Sequence, residues 1–345
     1  MVPHYTVYPI LCEPLFKPKI WGGRKLEVLF GMDLPAGEKI GEAWVAADLA
    51  EGSTRVANGP LTGASLGDAA RLWGEAMIGP AWRGRPTGAR FPLLVKFLDA
   101  QDDLSIQVHP DEAACRSDFP DDFSKDESWI VLDATPGGAI LHGFVAGVTL
   151  DDFDRLLAEG RVVECMRRIE VRPGDVFRVA PGTVHALCRG VAILEIQEPS
   201  DSTFRIYDYG RLGDDGEPRP LHLDAARKVM RFESAGSGPR IRPAAATTSW
   251  GWRETLVDVA AYRIECVTFE RPTSWRVDPR SAQTLIVLEG EVSLAAGGDA
   301  LRVRNGGCVA LPAAVGTVRV DVGPGGAPAR AVLAGAGGVE MIPAR

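Results

Sequence analysis

Five histidines occur in the 345 residues, and two of them stand in settings that suit a metal ligand. His109 closes the run Leu104-Ser105-Ile106-Gln107-Val108-His109. His185 follows Gly182-Thr183-Val184, and Lys125-Asp126-Glu127-Ser128-Trp129 lies between the two histidines. Gln107, His109, Glu127 and His185 together supply two imidazoles, a carboxylate and an amide oxygen. That donor set suits a borderline divalent ion such as zinc and leaves room for a substrate.

These donors need elements that aim them at one point. Residues i and i+2 of a strand project to the same face, so a strand through Gln107 and His109 turns both toward one ion and Val108 away. Lys125, Glu127 and Trp129 share that spacing. Standing alone, a Gln-x-His pair is more often a satisfied polar pair, and Lys125 with Glu127 more often a surface ion pair. The pattern Gly174-Asp175, six residues, then Gly182-Thr183-Val184-His185 is more specific: a glycine turn delivers a histidine into the next strand.

Frequent Gly and Pro (39 and 25) and short strand-like runs point to a mainly β scaffold. Phe91 to Leu98 and Val191 to Gln197 read as buried strands. Ser128 to Leu132 and Ala139 to Phe144, joined by Pro136-Gly137-Gly138, read as a hairpin. Helices are expected over 65–77, over 149–169 behind the capping box Thr149-x-x-Asp152, and over 223–230. A weak repeat relates Ile130 to Asp133 with Ile286 to Glu289, and Val171 to Gly174 with Val303 to Gly306. The first copy is longer by the expected 149–169 helix. Placing Gly306 on Gly174 puts Thr317 where His185 stands, and no histidine follows His222. The expected domains are therefore 1–233, which bears the site, and 249–345, a degenerate β unit without metal ligands that lends packing support. The Ala-rich stretch around 234–248 divides them.

A net charge of −8 without a basic block argues against a nucleic-acid partner, while a local cationic pocket still suits an anionic substrate. No apolar run reaches spanning length and the first residues lack a signal-peptide pattern, so a cytoplasmic protein with no membrane partner is expected. The six cysteines, without Cys-x-x-Cys pairing, read as buried or free thiols in a reducing compartment. No extended interface motif is evident, which favours a monomer. His4, His142 and His222 have no ligand-like context and read as surface or structural.

Several ordered stretches resemble type I mannose-6-phosphate isomerases (phosphomannose isomerases) in their short bacterial form, within the cupin superfamily. They are Trp21-Gly22-Gly23, Ile40-Gly41-Glu42-Ala43-Trp44, Phe91-Pro92-Leu93-Leu94-Val95-Lys96, the Gln107-His109 segment, Lys125-x-Glu127-x-Trp129, Pro181-Gly182-Thr183-Val184-His185-Ala186, and Glu195-Ile196-Gln197 through Asp201 to Tyr209. The resemblance is strong over about residues 9–232 and weak beyond. One departure is that the cupin pattern usually has proline two residues before the glycine of its second motif. Here Ala180 stands there and Pro181 follows, so a changed turn with a retained ligand is expected.

The resemblance implies two cupin (jelly-roll β-barrel) units with a small helical insertion, and one zinc ion per chain on Gln107, His109, Glu127 and His185. It implies that Lys125 and Arg205 belong to the active site, with Asp201 near them. The implied reaction interconverts mannose 6-phosphate and fructose 6-phosphate by moving a proton between C2 and C1 through an enediol. A metal would polarise the carbonyl, and Lys125 and Arg205 would bring positive charge. Ser105 and Lys96 are candidates for the phosphate, as is the forked guanidinium of Arg205. The base stays open between Asp201, Lys125 and a metal-bound water. Trp21, Trp44 and Trp129 line a sugar pocket or pack the core. Two other classes share the pattern: an iron-dependent cupin oxygenase, and a sugar-phosphate sensor that binds without turnover.

Overall fold

A computed structural model describes residues 6–84, 88, 90–213, 216–232, 240–241, 244–337 and 342–343. The chain is mainly β, in two units that each pair a large sheet with a five-stranded one, which is the doubled cupin scheme. In the first unit the large sheet runs in the order Arg240–Ile241, Val176–Val179, Glu127–Ala134, Val191–Gln197, Leu94–Ala100, Ile40–Ala46, Leu15–Gly23. Facing it are Met166–Glu170, Ala139–Phe144, His185–Leu187, Ile106–Val108 and Phe204–Tyr207. The second unit repeats the scheme with an eight-stranded sheet centred on Ala329–Ala336, Gln283–Glu289 and Cys308–Leu311, and a five-stranded sheet that includes Thr317–Val322 and Thr273–Arg276.

The two faces of strand Glu127–Ala134 explain how the units meet. Trp129 and Val131 pack inside the first unit with Trp21, Phe177 and Ile193. Ile130 turns the other way and joins a cluster with Leu194, Ile196, Ile264, Ile286 and Val332, so the two large sheets pack together through their outer faces. Each fully buried aliphatic there contributes about 1.5–3 kcal/mol relative to exposure. Both faces of these central strands are buried, so they lack the alternation of a half-exposed strand.

The repeat read from the sequence is present in three dimensions. The Gly174 amide donates to the Val131 carbonyl at 2.8 Å, and the Gly306 amide donates to the Val287 carbonyl at 2.8 Å. Val176 pairs with Ile130 in the first unit as Cys308 pairs with Ile286 in the second.

Other expectations need correction. The proposed hairpin is not one: Glu127–Ala134 pairs with Val176–Val179 and Val191–Gln197, whereas Ala139–Phe144 pairs with Met166–Glu170 and His185–Leu187. The turn at Gly137 (φ 79°) carries the chain from one sheet to the other. Helix 149–169 starts with its capping box at Thr149, but spans only Leu150–Ala158. Gly160 at φ 70° ends it, and Met166–Glu170 is a strand. Gly74 at φ 51° divides the 65–77 helix into Leu66–Trp73 and Glu75–Ile78. The third helix is Leu223–Val229. Residues 234–239 and 242–243 of the expected divide, and His4, lie outside the described residues. Strand Ile10–Glu13, in the chain's first part, lies in the second unit's sheet, between Cys308–Leu311 and Arg55–Val56.

Candidate active site

Four side chains converge between the two sheets of the first unit. Gln107 sits on strand Ile106–Val108 directly opposite His185, the first residue of strand His185–Leu187. His109 follows the first of these strands, and Glu127 begins the long strand across from them. Glu127 Oε1 lies 3.3 Å from His185 Nε2, and Oε2 lies 3.4 Å from His109 Nε2. The Gln107 side-chain amide is 3.3 Å from His185 Nε2. The turn before His185 holds the imidazole in the cluster despite Pro181: Gly182 adopts φ 84°, and its amide donates to the His109 carbonyl at 2.9 Å.

The hydrogen bonds around the imidazoles prepare them as ligands. His109 Nδ1 meets the Ser202 carbonyl at 2.8 Å, and His185 Nδ1 meets the Thr183 carbonyl at 2.8 Å. A carbonyl only accepts, so each Nδ1 carries the proton and each Nε2 lone pair points inward. Burial depresses both imidazoles, His109 to about 3 with the help of Lys125, so both are neutral at ordinary pH. Burial opposes ionisation of Glu127, but the Lys125 ammonium at 3.1 Å holds it well below the usual carboxylate range. His109 Nε2 and both Glu127 oxygens are buried without a hydrogen-bond partner. Buried polar atoms are ordinarily satisfied, and a cation among these three residues would satisfy them. The donor set therefore fits a divalent ion, with the Gln107 amide able to turn its oxygen inward.

Beside this centre opens a cavity of about 250 Å³, bordered by Ser105, Gln107, Lys125, Glu195, Asp201 and Arg205, with Lys19, Trp21, Lys96, Trp129 and Arg219 also on its wall. Lys96, Ser105, Gln107, Lys125, Asp201 and Arg205 of the sequence candidates thus share one space, and Gln107 and Lys125 link it to the His109, Glu127 and His185 cluster. A second cavity of about 290 Å³, at Trp82, Cys115, Phe123 and Glu198, touches none of the four donors.

The catalytic-domain profile of type I phosphomannose isomerase matches residues 10–135. A Bacillus subtilis protein named as a probable mannose-6-phosphate isomerase, GmuF, is 42% identical over 65% of this chain and 68% of its own length. The Streptococcus mutans mannose-6-phosphate isomerase is 32% identical over 90% of this chain and 96% of its own. This chain belongs to the mannose-6-phosphate isomerase family. The crystal structure of a mannose 6-phosphate isomerase from Bacillus subtilis superposes with a TM-score of 0.83 at 29% identity, covering 94% of this chain and 99% of that one.

The family site here contains a buried charged row whose role was not read from the sequence. Trp129, Glu195, Lys96 and Trp44 are register partners across four adjacent strands. Glu195 Oε2 accepts from the Trp129 indole at 2.9 Å, and Lys96 Nζ lies 3.0 Å from Glu195 Oε1 and 3.7 Å from Glu42. Glu42 is also held by the Trp44 indole at 2.7 Å and by Lys19 at 3.2 Å. Lys96, read from the sequence as a phosphate ligand, is thus already faced by two carboxylates. Burial and the nearby Glu127 raise Glu195. The available signal was a lone carboxylate inside Val-Ala-Ile-Leu-Glu-Ile-Gln, and a lone lysine inside Leu-Val-Lys-Phe-Leu: charge in a fully buried strand is rare without purpose.

Arg205 is the register partner of Gln107. It bonds the Pro220 carbonyl at 3.0 Å, its Nε is buried without a partner, and no carboxylate lies within ion-pair distance of it among the described residues. Arg219 forks onto Asp208 at 2.7 and 2.6 Å, and Arg211 holds the same carboxylate at 2.5 Å. Asp201 is exposed at the mouth. His222 accepts the Arg205 amide at 3.0 Å and His142 bonds the Arg178 carbonyl at 2.9 Å, so both serve structure. Among the described residues, no helix is long and apolar enough to cross a membrane.

Proposed function

We propose that this chain interconverts mannose 6-phosphate and fructose 6-phosphate with one zinc ion held by Gln107, His109, Glu127 and His185. The observation that carries this reading is a buried, inward-facing His-Glu-His group, with polar atoms left unbonded, joined through Gln107 and Lys125 to a cavity rich in cations. When bound, the ion supplies Lewis acidity to the sugar's carbonyl and hydroxyl oxygens.

The chain's own groups divide the remaining work. Proton transfer between C2 and C1 through an enediol needs a carboxylate of raised affinity, held still and shielded from bulk water. Glu195 meets that need better than the exposed Asp201, because Trp129 and Lys96 fix both its oxygens. Asp201 orders sugar hydroxyls at the mouth. Lys125, beside Glu127, donates to a sugar oxygen, and Arg205 brings a guanidinium without a carboxylate partner to the negative charge that develops. Ser105 precedes Ile106, the partner of Tyr207, and Arg219 hangs on the next residue, Asp208. That end of the cavity receives the phosphate, with Lys96 acting instead to orient Glu195.

All these groups come from one chain, so a monomer is a complete enzyme. The six cysteines are unpaired, as befits a reducing cytoplasm. The test is a coupled assay for fructose 6-phosphate formed from mannose 6-phosphate. Turnover that chelator abolishes and zinc restores is expected, and zinc-loaded protein without turnover would refute the reading.

A further inference from the structure

The residues that face the cavity from the Lys125–Trp129 segment alternate with residues that face the second unit. Lys125, Glu127 and Trp129 point to the site, while Asp126 and Ser128 point away. Both of the latter meet one side chain. The Tyr262 hydroxyl donates to Asp126 Oδ1 at 3.0 Å and lies 3.0 Å from Ser128 Oγ. Tyr262 opens strand Tyr262–Phe269 of the second unit and has 0% exposure.

The rest of the segment is held from within the first unit. Arg178 grips Asp126 through Nε at 3.0 Å and Nη2 at 2.5 Å, and the Asp126 amide donates to Glu198 at 3.0 Å. Arg178 is the register partner of Ser128. These contacts fix Asp126 but leave Ser128 Oγ to Tyr262. The hydroxyl bridges the two residues on either side of Glu127, and so restrains how that strand is rotated toward His109 and His185. A carboxylate ligand placed a few tenths of an ångström wrong loses affinity, because site geometry must hold within about 0.5 Å.

We infer that Tyr262 is a positioning residue for the metal centre, through which the second unit, itself without the ligands, sets the aim of Glu127. The inference rests on the proposed ligand set. Groups that orient metal ligands from behind ordinarily change affinity by about 10–100-fold. Tyr262 acts one step further back, so the lower end of that range applies.

The test uses the full-length protein and zinc alone, titrated in competition with a fluorescent chelator, together with kcat and KM. Tyr262→Phe keeps the ring and its packing and removes only the hydroxyl. It is expected to weaken zinc binding about 10-fold, and to lower kcat at saturating zinc with KM nearly unchanged. Ser128→Ala removes one of the hydroxyl's two bonds from the strand side and is expected to weaken zinc binding severalfold, by no more than Tyr262→Phe does. The double variant should lose no more than Tyr262→Phe alone, since the Ser128 bond is already gone once the hydroxyl is removed. A purely structural tyrosine would lower the melting temperature and leave zinc affinity alone. Zinc affinity within twofold of the parent in Tyr262→Phe, or in Ser128→Ala should the first not fold, would overturn the inference alone. A parent protein that binds no zinc would overturn the ligand set and this inference together.

Discussion

Where the first unit has His185, the second has Thr317, and the strand register supplies the other equivalents. Thr317 pairs with Arg276 as His185 pairs with Gln107. Gln283 lies between Leu311 and Gly335 as Glu127 lies between Val179 and Gln197. Counting on from Arg276, Asp278 stands for His109, and its carboxylate is closed by Arg280 at 2.6 Å. Leu285 replaces Trp129 and packs with Val267, Phe269, Trp275 and Val309 in an apolar interior. One strand scheme thus serves two ends. The first barrel gathers buried charges around a His-Glu-His group, and the second closes the same interior largely with hydrocarbon. Pairing and glycine turns are compatible with both.

This contrast can be broken most sharply at the ligands. His185→Ala should remove bound metal and reduce turnover to background while the fold persists, checked by metal analysis and circular dichroism. A fully metallated, fully active variant would dissolve the distinction between the units. The reverse graft, Thr317→His with Gln283→Glu, should bind no second zinc in the same metal analysis, because Arg276 and the Asp278–Arg280 pair remain. A stoichiometric second ion would show that the scaffold alone prepares the site.

Next in size are the charges around the cavity. Glu195→Gln should retain zinc and lower kcat by about 10²–10⁴-fold, the usual contribution of a positioned acid–base group. Arg205→Ala should likewise keep the metal and lose about 10²–10³-fold in kcat, as loss of an electrostatic stabiliser does. Wild-type kinetics in either variant would remove that residue from the mechanism.

The smallest effect concerns stability. In the second unit the buried Glu265 is met by Arg253 and by Arg263 at 3.1 Å. In the first unit Glu198 is met by Ser124 Oγ and the Asp126 amide, each at 3.0 Å, and burial pushes it up from 4.5 to about 7. The folded state therefore holds this proton more tightly than the unfolded chain. Stability should fall as pH rises from about 4.5 to about 7 and level off above, by at most about 3 kcal/mol from this group. Glu198→Gln should flatten that slope in denaturant titrations and be more stable than the parent at pH 8 but not at pH 4.5.

The convergence of His109, Glu127 and His185 was legible because their chemistry is scarce in the sequence and their spacing suits strands. The repeat was legible because glycine turns recur at matching places. Pairing was not: a strand buried on both faces, such as Glu127–Ala134, carries no mark of which neighbours it takes, so adjacency in sequence suggested a hairpin across Gly137. The end of the 149–169 helix was hidden because Val162, Val163 and Ile169 continue an apolar pattern that Gly160 interrupts. The Glu42, Lys96 and Glu195 row lies on strands distant in sequence, and only the register brings those charges together. Tyr262 had no signal at all, since its partners are more than a hundred residues away.

Strand Ile10–Glu13 pairs Ile10 with Ala310 and Cys12 with Cys308, beside the edge of the second unit's large sheet. A ribosome makes that strand long before its partner. During synthesis the edge of that segment opposite Arg55–Val56 must wait, with its backbone groups answered by water, while the first unit's barrel assembles around residues made in between. That sheet is then closed by a late return of the chain to an early strand, and any nascent fragment lacking residues 308–311 leaves that segment with an open β edge for chaperones, or for another chain, to occupy.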